Sequence, residues 1–291
     1  LILNKKRIEG IRYSINEIIH LIEGSLLQEG KDHFDVRTLL IDSRRVSNPS
    51  ESIFIAVKGE RNNGHKFISE AYHKGLRAFI VDEDVSLNLL KDAWVIRVPN
   101  TLLSLQLIAH KHLNNFHFPV IGITGSNGKT IVKEWLYQLL KDEFHIVKSP
   151  KSYNSQVGVP LSVWQCSHGH NFGIFEAGVS KPGEMGALEF MIQPTIGIFT
   201  NLGGAHDENF KNWDEKAKEK LRLFEKAKVL IYCRDFSPIH NLVTKKIHFK
   251  DLKTFTWSKK LPADLMVGKI DKTDVDSNIQ AVYQNQFVKI R

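Results

Sequence analysis

Apolar positions in this chain fall into short blocks of two kinds. Residues 52–57 (Ser-Ile-Phe-Ile-Ala-Val) and 78–81 (Ala-Phe-Ile-Val) are β-rich runs of strand length. Between them, residues 67–72 carry a helical pattern, with Gly75 placed to end it. Residues 102–116 read as a longer helix leading into a second region. From Pro119 the rhythm changes. Residues 120–124 form a strand-like run, a glycine-rich turn follows, and apolar residues then recur at 131, 132, 135, 136, 139 and 140, which is helical spacing. Further strand candidates lie at 172–177, 196–200, 229–233, 254–257 and 287–290. Strands alternating with helices predict an α/β fold with a doubly wound, mostly parallel sheet. The expected division is a mixed α/β domain at 1–115 followed by a sheet domain at 116–291.

Composition narrows the class. The 291 residues are 42% hydrophobic and 25% charged, as in an ordinary globular protein. No apolar run reaches the 18 or so residues of a membrane helix. Near the start, the apolar pair Ile18-Ile19 is boxed in by Glu17 and His20, which is no leader pattern. The chain begins with Leu1, as a trimmed or partly recorded product would. Two cysteines, Cys166 and Cys233, sit in unrelated segments and make neither a metal pattern nor a disulfide framework, in keeping with a reducing cytoplasm. The net charge of +8 is concentrated: residues 211–260 hold 14 Lys and Arg against 6 Asp and Glu. No aromatic stacking pattern accompanies it, so a solvated helix face beside a phosphate-handling site is favoured over nucleic acid.

The most informative segment is Gly122-Ile-Thr-Gly125-Ser126-Asn127-Gly128-Lys129-Thr130. It lies between a strand and a helix, the setting of a phosphate loop. Glycines let the backbone wrap so that its N–H groups point at phosphate oxygens, and the helix N-terminus adds positive potential. Lys129 can reach the β and γ phosphates, and the Thr130 hydroxyl can ligate Mg²⁺. The strict pattern asks for glycine at 123, where this chain has isoleucine. Gly125, Ser126, Asn127, Gly128, Lys129 and Thr130 are therefore the candidate ATP-binding residues.

This loop resembles that of the Mur ligase family of cell-wall enzymes, and folylpolyglutamate synthetases have a related one. Four further landmarks carry the resemblance. Ser152-Tyr-Asn154-Ser155-Gln-Val-Gly158-Val-Pro160 is similar to the asparagine-rich segment of the branch that adds D-alanyl-D-alanine, with serines at 152 and 155 in place of asparagines. Phe175-Glu176-Ala-Gly178 with Gly183-Glu184-Met185 resembles that branch's Glu-Met-Gly and Gly-Glu-Ile elements. Thr200-Asn201-Leu-Gly203-Gly-Ala-His206 resembles its Thr-Asn-Ile-Gly-x-Ala-His element. Lys218-Glu-Lys220-Leu-Arg-Leu-Phe224 resembles the segment whose lysine is carbamylated, which favours Lys220 over Lys218 and Lys216. Asp42-Ser43-Arg44, residues 54–61 and Asn63-Gly-His65-Lys-Phe-Ile68 are similar to the family's UDP-binding domain.

The resemblance implies ATP and Mg²⁺ as cofactors. It also implies UDP-N-acetylmuramoyl-tripeptide and D-alanyl-D-alanine as partners in the cytoplasm. Lys129, His206 and Lys220 become candidate catalytic residues; Thr130, Glu176, His206 and Lys220 candidate metal-site residues; Ser43, Arg44 and Asn154 candidate substrate contacts. A carboxylate at a strand's C-terminal end suits Mg²⁺, whereas His206 as a ligand rests on the resemblance alone. The phrasing around residues 176–185 is nearest to forms fused to an alanine racemase. Members also carry a third domain for which 291 residues leave no room, so this chain is expected to fold and bind UDP-peptide yet form no product. The alternatives are the sibling ligase that adds diaminopimelate or lysine, whose Thr-Thr-Pro and Ser-Ser-His elements are not found, and a non-catalytic UDP-sugar or nucleotide-binding module.

Overall fold

The computed structural model describes residues 10–59, 62–205, 207–245, 251–274 and 276–291. The chain divides into two compact units: Leu1–His117 with Gln156–Asn171, and Phe118–Ser155 with Phe172–Arg291.

In the first unit, β1 (Tyr13–Ser14) runs into α1 (Ile15–Leu21), where Ser14 and Glu17 cap each other reciprocally. The strands β2 (Ser25–Gln28), β3 (Asp35–Val36), β4 (Thr38–Leu40) and β5 (Ser52–Ile55) follow. Helix α2 (Ile68–His73) ends as expected at Gly75: its φ is +94°, its N–H donates to Tyr72 O, and Leu76 N–H donates to Ala71 O. Then come β6 (Ala78–Val81), β7 (Trp94–Arg97) and α3 (Thr101–Leu113), capped by the Asn100 side chain. The sheet order is β2-β7-β6-β5-β4, parallel except for β2. β5 and β6 are buried throughout, because helices cover both faces of the sheet. Ile53, Ile55, Ile80 and Ile96 pack toward α1 and α3, and Phe54, Phe79, Val81 and Val95 pack toward α2.

The second unit opens with β8 (Val120–Thr124), α4 (Lys129–Leu140) and β9 (Ile146–Lys148). The chain returns to the first unit for α5 (Gly158–Val163). It then continues as β10 (Phe172–Glu176), α6 (Met185–Ile192), β11 (Ile196–Phe199), α7 (Trp213–Leu221), β12 (Val229–Cys233), α8 (Ser237–Thr244) and β13 (Lys253–Ser258). A final run is β14 (Leu265–Lys272), β15 (Ser277–Tyr283) and β16 (Gln286–Ile290). The order is β16-β15-β14-β13-β12-β11-β8-β10-β9. From β9 to β14 the pairs are parallel; β15 and β16 add an antiparallel edge. β10 and β11 flank β8, so the loops after these three strands converge at their carboxyl ends, where ligands bind in open parallel sheets. Among the described residues, no helix is long and apolar enough to cross a membrane.

Two differences from the sequence reading are physical. A single boundary at 115/116 misses that 156–171 belongs to the first unit. Val159 and Val163 of α5 are buried, and Trp164 stacks on Tyr13 and His112 at ring-centroid distances of 5.3 and 4.6 Å. The Trp164 indole also donates to Arg37 O at 2.8 Å. On α4, only part of the apolar pattern is core. Val132, Leu136 and Leu140 pack on Ile121, Ile123 and Ile174, whereas Ile131, Trp135 and Leu139 are exposed.

Candidate active site

The loop between β8 and α4 is built on glycine. Gly125 has φ +143°, and a Cβ there would lie 2.0 Å from Thr200 Oγ1. Gly128, at φ +81°, is the N-cap of α4, and the first turn of that helix carries no acidic residue. An uncapped helix start without a carboxylate is a favourable anion site.

The loop is held by the segment after β11. Ser126 N–H donates to Asn201 O (2.9 Å), and Asn127 N–H to Asn201 Oδ1 (2.9 Å). Thr200 Oγ1 and Asn201 Nδ2 both donate to Asn127 O. Ser126 Oγ donates to Gly203 O and accepts from Gly203 N–H, closing a two-way link. Lys216, a buried residue of α7, donates from Nζ to Gly203 O (2.6 Å) and to Ala205 O.

Beyond the loop's own glycines and Ser126 and Asn127, five of the expected site residues lie in this unit. Lys129 Nζ donates to Gly125 O (2.7 Å), folded over the loop; burial lowers its pKa and the charge of Glu176 opposes that. Thr130 Oγ1 donates to Glu176 Oε2 (3.0 Å) and lies 3.3 Å from Ser152 Oγ. Glu176 ends β10 and is fully buried. Lys220 is buried on α7, and its pKa falls to about 8, first from burial and then from the charges of Lys129 and Lys216; Glu219 acts the other way. Asn154 takes Gly178 N–H on its carbonyl at 2.8 Å, and its side chain lies so close that a Cβ on Gly178 would sit 3.1 Å from it. His206 lies outside the described residues.

Ser43 and Arg44 belong to the first unit. Both sit in a 3-10 turn, Ser43–Arg45, opened by Asp42. Ser43 is buried, and its carbonyl accepts from Lys74 Nζ at 3.1 Å. The Arg44 guanidinium is 83% exposed and forks onto Asp42 through Nε and Nη2, each at 2.9 Å. That hydrogen-bonded pair pulls Asp42 down to about 2.

Two residues have no role in the sequence reading, although Asn201 stands in one of its landmarks. Lys133 is fully buried against Glu176, and Asn201 clasps the phosphate loop. A lysine one helical turn beyond Lys129, on a helix packed against a sheet, was the available signal for the first. The Thr-Asn pair closing a strand was the signal for the second. The donor set can be tested for Mg²⁺. Thr130 and Glu176 bring two hard oxygens together beside the phosphate loop, and Mg²⁺ takes few protein ligands when phosphate oxygens and water complete its shell. The residues present therefore fit the ion, although no group of three His, Cys, Asp or Glu side chains is found among the described residues.

Comparison with known proteins splits the chain once, near the start of the phosphate loop, and leaves residues 156–171 with the second part. A Mur ligase middle-domain model matches residues 123–291, and a model described as the Mur ligase family catalytic domain matches 35–122. The UDP-N-acetylmuramoyl-tripeptide--D-alanyl-D-alanine ligase of Bacillus subtilis (strain 168) is 30% identical over 234 residues, 79% of this chain and 50% of its own length. MurF from Acinetobacter baumannii superposes with a TM-score of 0.84 at 21% identity, over 97% of this chain and 61% of that one, a likeness of fold. MurF ligase from Thermotoga maritima in complex with ADP has a TM-score of 0.76 at 26% identity, over 88% of this chain and 58% of that one. The chain spans about half the length of the curated relatives it matches.

Proposed function

The chain belongs to the Mur ligase family, and from that premise we propose that it carries the ATP-handling and UDP-peptide-handling parts of an ATP-dependent amide ligase. The proposed reaction joins D-alanyl-D-alanine to UDP-N-acetylmuramoyl-tripeptide in cytoplasmic peptidoglycan synthesis. The peptide carboxylate attacks the γ-phosphorus and ADP leaves. The amine of D-alanyl-D-alanine then attacks the acyl carbon, and phosphate and a proton depart as the amide forms. A fused or separate alanine racemase would supply D-alanine for the second substrate.

The observation that carries this reading is the Thr130–Glu176 hydrogen bond beside a glycine-built loop that Lys129 folds over, at the carboxyl end of a parallel sheet. Phosphoryl transfer asks a protein for positioning and charge neutralisation. Lys129 would leave its carbonyl partner for a phosphate oxygen, and the start of α4 would supply N–H groups to the same anion. Thr130 and Glu176 would hold Mg²⁺, with Lys220 as a carbamate and His206 completing the proposed set; the bound ion would neutralise phosphate charge. A pKa of about 8 leaves part of the Lys220 amine neutral near physiological pH, the form that adds CO₂. Ser43 and Arg44 are proposed for the UDP diphosphate, where a guanidinium fork matches phosphate geometry. Asn154 is proposed for the peptide substrate.

The test is calorimetry of this chain with each ligand, paired with phosphate release by a form as long as its relatives, given ATP, Mg²⁺, UDP-N-acetylmuramoyl-tripeptide and D-alanyl-D-alanine. Release that requires all four supports the reading. Release only with a UDP-dipeptide and diaminopimelate or lysine would assign the sibling reaction instead, and no calorimetric binding of ATP or UDP-peptide would sink both.

A further inference from the structure

Lys133 is a buried ammonium that the proposed reaction leaves unused. It lies on α4, three residues after Thr130 and so on the same helix face, and it is 0% exposed. A charge so placed persists only when its hydrogens are matched. Nζ donates to Ser149 O at 2.8 Å and to Lys151 O, and it meets Glu176 Oε1 at 2.9 Å. Glu134 Oε1 lies at 3.2 Å on the outer side, itself paired with Lys148. Two hydrogens go to the Ser149 and Lys151 carbonyls, while Glu176 Oε1, which accepts no hydrogen bond, is held by charge alone; the contacts come from two chain segments.

Those two segments matter for the site. Glu176 has two carboxylate oxygens: Oε2 takes the Thr130 hydroxyl and Oε1 faces Lys133. Both partners project from α4, so the carboxylate is fixed at two points to the helix that begins at the phosphate loop. The Ser149 and Lys151 carbonyls open the loop that carries Ser152 and Asn154, and Ser149 Oγ also accepts from Glu176 N–H at 3.1 Å. One cation thus ties the end of β10, the 149–155 loop and the first turns of α4 to one another.

We infer that Lys133 is a positioning residue: it orients the Glu176 carboxylate toward Thr130 and fixes the loop bearing Ser152 and Asn154. The inference rests on the proposed metal role of Glu176. It predicts that Lys133 acts on Mg²⁺-dependent nucleotide binding through Glu176 and on nothing else in that equilibrium. A lysine that merely filled the core would lower ATP affinity equally with and without Mg²⁺, because its loss would loosen the whole site.

The experiment measures the dissociation constant of ATP in Mg²⁺ and in EDTA for wild type, Glu176→Gln, Lys133→Met and the double variant. Removing both members of a buried pair avoids stranding one charge, so the double variant folds even where Lys133→Met does not. The ratio of the EDTA constant to the Mg²⁺ constant should fall about tenfold in Glu176→Gln and in Lys133→Met, with no further fall in the double variant, the non-additivity expected of coupled residues. Amide exchange at 149–155 should speed up in both variants that lack Lys133. A wild-type ratio in Lys133→Met beside a reduced one in Glu176→Gln would overturn the inference and leave the proposed function standing. A double variant losing more than Glu176→Gln would overturn it as well, since Lys133 would then act on its own. An unchanged ratio in Glu176→Gln would bring down the metal assignment and this inference together.

Discussion

The two candidate anion sites of this molecule use cations in opposite ways. In the first unit, Arg44 stands in solvent with its guanidinium already forked onto Asp42. In the second, Lys129 and Lys216 donate to backbone carbonyls, Lys129 half-buried and Lys216 buried. A carbonyl is a dipole and leaves the ammonium charge in place, whereas a carboxylate cancels its partner. Exposure also screens Arg44, while burial keeps the field of the lysines strong. The second site is therefore poised for a highly charged triphosphate. The first must exchange one partner for another, so a diphosphate gains less there per contact.

That contrast can be broken at its strong end first. Lys129→Ala should weaken ATP binding roughly 10–100-fold, the range for a charge-assisted hydrogen bond, with the unfolding midpoint little changed, and in a form as long as the relatives it should abolish phosphate release. Calorimetry giving wild-type ATP affinity would remove the phosphate-loop assignment.

An effect of intermediate size should separate the units by pH. His112, in the core of the first unit, is held near pKa 4 by burial, with its bond to the Cys166 carbonyl opposing. Its Nε2–H donates to that carbonyl, so Nδ1 of the neutral ring accepts from Tyr13 Oη. The unfolded chain takes up this proton near pH 6.5, so it binds more protons than the folded chain between about 6.5 and 4. Stability is intact above that window and declines as pH falls through it, by up to roughly 3 kcal/mol. Amide exchange from pH 7 to 4.5 should loosen the first unit before the second, and His112→Gln should flatten that dependence. Simultaneous loosening of both units would contradict it.

The smallest effect is expected at Arg44. Arg44→Ala should weaken UDP-peptide binding about tenfold, or 1.4 kcal/mol, without changing ATP affinity or thermal stability, since an exposed ion pair contributes little. Equal UDP-peptide affinity in variant and wild type would move the diphosphate site elsewhere.

How far the sequence led depends on the range of the determinants. The phosphate loop was legible because glycine placement and the Lys-Thr pair are local, and the backbone at Gly125 and Gly128 leaves few other choices. The β/α alternation was legible for the same reason at β5, β6, β8, β10, β11 and β12 and at the Gly75 terminus, while β4, β7 and β9 were not. Lys133 was not, because its partners lie 16 or more positions away and its burial is decided by them. Nor was the allegiance of α5: two buried valines say that a helix needs a partner and not which one. The apolar spacing of α4 overstated its core, since periodicity marks a face without marking what covers it. β14 and β15 were passed over because they are half-exposed strands with glycine and charges inside them.

The return of residues 156–171 to the first unit has a consequence for synthesis. The Tyr13, His112 and Trp164 rings close against one another, yet a ribosome makes the third more than fifty positions after the second. Vectorial folding of one finished domain before the next begins is the usual order. Here the earlier unit must wait, its core open at α3, while the strand, phosphate loop and helix of the later one are translated. A nascent chain stalled after His117 should therefore remain protease-sensitive, and protection of the first unit should appear only once Asn171 has cleared the exit tunnel.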